Sequence, residues 1–201
     1  MEKDTYKTIL EASPDSLYKE KGSKFLGYAF PVTNENQVKE YINHLKKEHY
    51  SARHWCYAWQ LGKSYESYRV NDDGEPSNSA GMPIFGQLQA YDVTNVLIVV
   101  VRYFGGMKLG IGGLMQAYKT AARMSLESSK IVEKTIDEFF LIRFDYAEMN
   151  IVMRIIKEEK ISILNQKMEL NCEFKLAVRK KYAKRVFDLF QNTYKVSIKK
   201  A

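Results

Sequence analysis

All eleven glycines and all four prolines of this 201-residue chain lie at or before position 113, and none follows it. Glycine permits positive φ and close backbone approach, and proline fixes φ and removes a donor, so both residues punctuate loops and turns. A chain that carries all of them on one side is built as two different units. The first is rich in loops, and the second is made of regular elements joined by short polar turns. Charge divides the same way: residues 1–138 hold 17 Lys+Arg and 17 Asp+Glu, and residues 139–201 hold 14 and 7, so the net charge of +7 resides in the last third.

A chain of this length buries a sizeable core in one or two domains of ~100–200 residues each. No apolar run reaches the ~18–20 residues that span a bilayer. The start, Met1-Glu2-Lys3-Asp4-Thr5-Tyr6, lacks the charged-then-apolar order of a secretory signal. A cytoplasmic protein with no membrane partner is expected. Cys56 and Cys172 are the only cysteines, and their separation fits reduced thiols rather than a disulfide framework.

In the first unit, Leu17–Ala29 reads as strands around the turn Lys21-Gly22-Ser23. Asn34 opens a helix with Val38, Tyr41, Ile42 and Leu45 at helical spacing. The aromatic-rich stretch Ala52–Gln60 reads as a strand with a short partner around Tyr65–Val70. A turn segment runs from Asn71 to Ser79, and Pro83–Tyr91 is helical. Val96–Tyr103 has the continuous Val/Ile character of a strand buried on both faces. After it, Leu114, Ala117, Tyr118, Ala121, Ala122 and Leu126 mark a long helix with a small-residue face. In the second unit the alternation of Phe140, Ile142 and Phe144 gives a strand, and Val152, Ile155 and Ile156 a helix. Ile161–Leu170 and Cys172–Val178 are strands, Ala183–Phe190 a helix and Tyr194–Ile198 a last strand. That βαββαβ order predicts a ferredoxin-like domain, with two helices on one face of an antiparallel sheet.

Four constellations could carry chemistry. The first is the glycine loop, in which Arg102 is followed by Gly105, Gly106, Lys108, Gly110, Gly112 and Gly113. Strand, glycine loop and helix in that order can hold an anion or a nucleic acid with loop amides and Lys108, or can be a structural turn. The spacing fits neither the Walker loop nor the dinucleotide fingerprint. The second is Asn71–Pro83, where Asp72, Asp73 and Glu75 could hold Mg²⁺ or move a proton. The plainer reading is turn chemistry, with Ser77 in the turn and Asp72 or Ser79 capping a neighbour.

The third is Ser51–Trp59. On a strand, His54 and Cys56 share one face while Trp55, Tyr57 and Trp59 share the other. His54 reads as a satisfied core histidine and the aromatic face as core. No second Cys/His pair completes a metal site, so neither metal nor cofactor is expected. The fourth is the basic run Arg179, Lys180, Lys181, Lys184 and Arg185, either a solvated helix face or an electrostatic, salt-sensitive nucleic-acid footprint.

Lys21–Gly27, Ala52–Ala58, Asp72–Pro83 and Val101–Leu114 together, in this order, resemble the YigZ/Impact family, and the resemblance covers nearly the whole chain. It implies an α+β protein of two domains. Residues 1–135 would form an Impact-type domain, a sandwich similar to a ribosomal-protein domain, to domain IV of elongation factor G and to the GHMP kinases. Residues 136–201 would form a ferredoxin-like domain similar to domain V of that factor. Eukaryotic members modulate translational control through an additional N-terminal domain for which this chain has no room before Lys21. The GHMP-kinase loop pattern is missing, so kinase chemistry is not implied. The expected function is that of a non-enzymatic RNA- or ribosome-associated factor linked to translation regulation. The alternative is an enzyme acting on a phosphorylated or nucleotide-like ligand, with Lys108 and the loop amides as the anion site.

Overall fold

A computed structural model describes residues 4–201. They divide into two compact units, one spanning Tyr6–Lys134 and the other Thr135–Ala201 together with Asp4 and Thr5. The elements of the first are β1 (Thr5–Ile9), β2 (Ser16–Glu20), β3 (Ser23–Pro31), α1 (Glu35–Glu48), β4 (His54–Leu61), β5 (Ser67–Asn71), α2 (Gly81–Ala90), β6 (Val96–Tyr103), α3 (Gly110–Glu127) and β7 (Ile131–Thr135). No helix among the described residues is long and apolar enough to cross a membrane.

The main sheet has the order β2-β3-β6-β4-β5, with every neighbouring pair antiparallel. β6 lies at its centre and is buried from Val96 to Arg102, as its unbroken apolar run requires of a strand covered on both faces. Its alternate residues feed two cores. Val96, Ile98 and Val100 pack with Ile84 and Leu88 of α2 and with Leu114, Ala117 and Ala121 of α3. Leu97, Val99 and Val101 pack with Val38 and Leu45 of α1 and with Trp59. The expected aromatic face of β4 belongs to this second core. Asn34 caps α1 as expected, its side chain accepting from the N–H groups of Asn36 and Gln37 at 3.0 Å each.

Two strands escape a sequence reading. β1 and β7 form a separate two-stranded sheet. Each is only five residues long, and the partner of each lies at the far end of the unit, so neither local pattern announces the pair.

The second unit contains β8 (Asp137–Asp145), a 3-10 turn (Tyr146–Glu148), α4 (Met149–Glu158), β9 (Ser162–Lys167), β10 (Asn171–Arg179), α5 (Lys180–Gln191) and β11 (Val196–Lys200). Its antiparallel sheet has the order β11-β8-β10-β9, the ferredoxin-like arrangement. Phe140, Ile142, Phe144, Phe174 and Leu176 meet Val152, Ile155, Val186 and Phe190 of the two helices in one core. The last strand begins two residues later than its apolar pattern suggests, because Lys195 turns with φ +56. Lys160 does the same after α4, at φ +52. With no glycine available, these two turns place lysines in a conformation that costs roughly 1–2 kcal/mol each.

Candidate functional site

At one end of the five-stranded sheet, strand register gathers four segments. Lys24 of β3 pairs with Tyr103 of β6, and His54 of β4 pairs with Arg102. The β2–β3 turn, the start of β4, the glycine loop and the acidic segment after β5 therefore meet there.

The acidic segment is turned inward. Asp72 Oδ1 accepts from the N–H groups of Ala80 (3.0 Å) and Gly81 (2.8 Å), and Oδ2 accepts from that of Asn78 (2.9 Å). Ala80 at the N-cap of α2 offers no side-chain cap. Asp72 supplies both the missing acceptor and a charge that suits a helix N-terminus. Asp73 Oδ2 accepts from Trp55 N–H at 2.8 Å, and Lys46 Nζ lies 3.7 Å from Oδ1. Glu75 Oε1 accepts from Arg102 Nη1 at 2.5 Å and from Tyr118 Oη at 2.8 Å. The Glu75 and Arg102 side chains are only 4% and 6% exposed. All three carboxylates are thus occupied within the fold. Among the described residues no group of three or more His, Cys, Asp or Glu is placed to hold a metal ion.

His54 Nδ1 lies 2.8 Å from the carbonyl of Asp73. A carbonyl only accepts, so Nδ1 carries a proton and Nε2 faces Glu75 Oε1 at 3.8 Å. The Cys56 thiol lies 3.0 Å from the Asp72 carbonyl and 3.3 Å from Tyr118 Oη. Tyr118, read in the sequence as part of an apolar helix face, is the buried hub of this network. The pattern that placed it among alanines could not reveal the carboxylate it meets 43 positions away in the chain.

Burial holds the protons of Cys56 and Tyr118 far above the ordinary values of 9.0 and 10.0. For Cys56 the Tyr118 hydrogen bond opposes the shift, while the charges of Glu75, Asp73 and Asp72 add to it. For Tyr118, Cys56 and Glu75 add to the burial effect. The thiol is therefore inert at neutral pH. The unfolded chain ionises both groups at their ordinary values and the fold resists it. Their contribution to stability is complete below the unfolded thiol value of 9.0 and falls as pH rises through 9.0 and then 10.0. Denaturant midpoints are expected to be lower at about pH 10.5 than at about pH 8; equal midpoints would contradict the network.

The glycine loop, residues 104–109, leads from β6 into α3. Gly105 lies against the β2–β3 turn: a Cβ there would stand 1.9 Å from Gly22 C and 2.2 Å from Gly22 O. Its N–H donates to Ser23 Oγ at 3.2 Å. Gly106 and Gly110 have φ of +86 and +74. Gly112 and Gly113 open α3. Lys108 is exposed and is in no salt bridge with the described residues. Ser77 is exposed on the turn. The fold thus brings His54, Asp72, Asp73, Glu75 and Arg102 together, while Gly105 lies against the β2–β3 turn. Lys108, Gly110, Gly112 and Gly113 lie further along at the start of α3.

Two features of the first unit carried no sequence signal. Phe104 is 39% exposed, and the guanidinium groups of Arg53 and Arg102 each lie 5.5 Å from its ring centroid. On the opposite face of the sheet, His49 bridges Tyr28 Oη (2.8 Å) and Tyr103 Oη (2.9 Å). In the second unit, Arg179 pairs with Asp4 at 2.6 Å and Arg185 pairs with Glu159. Lys181 and Lys184 are exposed, and Lys180 is half-buried.

Residues 21–126 match the family described as the Impact N-terminal domain. The chain is 32% identical over 177 residues to the IMPACT family member YvyE of Bacillus subtilis, covering 88% of this chain and 81% of that one. It is 30% identical over 160 residues to the IMPACT family member YigZ of Escherichia coli, covering 78% of each. A crystal structure of a hypothetical protein superposes with a TM-score of 0.72 at 23% identity, covering 98% of this chain and 97% of that one; this likeness is one of fold.

Proposed function

The chain belongs to the Impact family, and from that premise we propose that it is a non-enzymatic RNA- or ribosome-associated factor of the cytoplasm, linked to translation regulation. One observation carries the reading. At the glycine-loop end of the sheet the three carboxylates are bonded within the fold, while Lys21, Lys24, Arg53 and Lys108, carried by the segments that meet there, are exposed, as is Phe104. A rim whose cations are exposed while its carboxylates are held in internal hydrogen bonds and ion pairs attracts a polyanion. An exposed aromatic beside it suits unpaired bases.

Filter binding of the full chain to ribosomes and to generic RNA across a salt series tests this. Four phosphate contacts on single-stranded RNA give a log–log slope of about −3, a loss of about 50-fold between about 50 and 200 mM salt. Lys108→Ala and Arg53→Ala are each expected to flatten the slope by about 0.7. No retention at low salt would overturn the reading. A thermal shift with nucleotide and Mg²⁺ that Lys108→Ala abolishes would favour an enzyme acting on a phosphorylated ligand.

A further inference from the structure

Helix α1 covers only part of its side of the main sheet. It packs on Leu97, Val99 and Val101 of β6, with Leu26 of β3 and Tyr103 half-buried against that core. The edge strand β2 lies beyond, and its Leu17 is 45% exposed. A cavity of about 440 Å³ opens there, within the ~300–1,000 Å³ of small-molecule sites. Its apolar lining is Leu17, Leu26 and Phe104, and its polar lining is His49, Tyr103 and Lys24. The Phe104 ring, already faced by Arg53 and Arg102, serves as a wall only.

Charge beside the cavity favours an anion. Strand register sets Lys19 directly opposite Lys24, as it sets Leu17 opposite Leu26, and alternation puts these four residues on one face. Both lysines are exposed and in no salt bridge with the described residues. Like charges directly opposite each other destabilise an antiparallel pair, so this hairpin carries a cost that an anion between the lysines would relieve. The carboxylates are placed elsewhere. Glu20 falls on the other face, where its Oε2 accepts from Tyr18 Oη at 2.9 Å. Asp15 stands before the far end of β2. Glu48 lies 4.0 Å from His49 but also 3.6 Å from His44, and none of the described residues lining the cavity is a carboxylate. His49 lies between Tyr28 Oη (2.8 Å) and Tyr103 Oη (2.9 Å). In the neutral triad one hydroxyl proton is left over from these two bonds, and with Nδ1 protonated it is that of Tyr103. We propose that this cavity binds a small organic anion with an apolar body. The anionic head lies between Lys19 and Lys24 with Tyr103 Oη as donor, and the body lies against Leu17, Leu26 and Phe104. The site goes beyond the RNA reading and does not rest on it.

Isothermal titration of the full chain in low salt with octanoate and with octyl phosphate tests it. Octanol supplies the body alone and inorganic phosphate the head alone. At least one of the two amphiphilic anions is expected to bind about tenfold tighter than either half, and the tighter of them names the head group. Lys19→Glu is expected to weaken that binding about tenfold. The same substitution is expected to raise Tm by about 1–3 °C, because opposite charges then face each other across the hairpin. Lys119→Glu, on α3 at the other face of the sheet, changes the net charge equally and leaves the affinity within about twofold of wild type. Anions bound no tighter than octanol would overturn the site. So would equal affinities for Lys19→Glu and wild type, or equal losses for Lys19→Glu and Lys119→Glu. None of these outcomes touches the RNA reading, since the assay contains no RNA, and a chain that fails to bind RNA or ribosomes can still pass it.

Discussion

Arg102→Met is expected to destabilise the first unit by about 3–5 kcal/mol, because it strands the Glu75 carboxylate without its cation. The pair is among the most buried charge in the molecule, with Glu75 4% and Arg102 6% exposed. The arginine also spreads over the rings of Phe25 (5.4 Å) and Phe104 (5.5 Å), contacts that methionine partly replaces. A buried ion pair gains little over a well-packed apolar pair, while breaking it on one side is costly. The double variant Arg102→Met/Glu75→Leu is therefore expected to recover at least half of the loss, even though Tyr118 Oη then keeps only the Cys56 thiol as a neighbour. Chemical denaturation followed by tryptophan fluorescence reads this unit, since Trp55 and Trp59 are the chain's two tryptophans. A single-variant loss under about 1 kcal/mol, or no recovery in the double, would show that the pair does not hold the acidic segment in place.

Within the glycine loop, two substitutions of the same kind are expected to act in opposite directions. At Gly105 an added methyl would stand 1.9 Å from Gly22 C and 2.3 Å from Ser23 N, both backbone atoms. Neither turn can yield without separating the β2–β3 turn from the end of β6. Gly105→Ala is expected to cost about 3–5 kcal/mol, at the upper end for overpacking, and to lower Tm by roughly 10 °C in a chain of this size. At Gly112, inside α3, nothing lies within 4 Å of an added Cβ and φ is not positive. Alanine there removes only the entropic penalty of glycine in a helix, so Gly112→Ala is expected to stabilise by about 0.5–1 kcal/mol. Thermal unfolding of the two variants side by side decides it. A mild effect at Gly105 would mean that the two turns are not in contact.

Where spacing within ten or so residues decides the structure, it was legible. The apolar run of β6, the small-residue face of α3, the cap at Asn34 and the alternation of β8 and β10 each follow from periodicity alone. Legibility stopped where a partner lies far along the chain. For Gly105 the sequence leaves an anion site and a structural turn both open, and the close neighbour that requires glycine there, the backbone of Gly22, lies more than 80 positions away. Glu75 reads locally as a turn residue or as a metal or proton carrier, and nothing local indicates that Arg102 and Tyr118 take its oxygen. Asp72 was the exception: its turn-and-cap role extends only to Ala80 and Gly81, close enough to be anticipated. β1 and β7 were missed for the same reason as the Glu75 partners, since each makes sense only beside the other.

The position of β6 also sets an order of assembly. β2 with β3, and β4 with β5, are two hairpins of strands that neighbour each other in the chain, yet the sheet order keeps them apart. Only β6 joins them, pairing with Pro31 to Lys24 on one side and with Gln60 to His54 on the other. Until its last residues arrive, each hairpin has an unpaired edge, and neither has the strand that fills the space between them. Long-range pairing of this kind folds slowly, because chain entropy is lost before contacts repay it. The first unit is thus built like a zip whose slider comes last: its sheet is complete only when β6 has entered between the two hairpins.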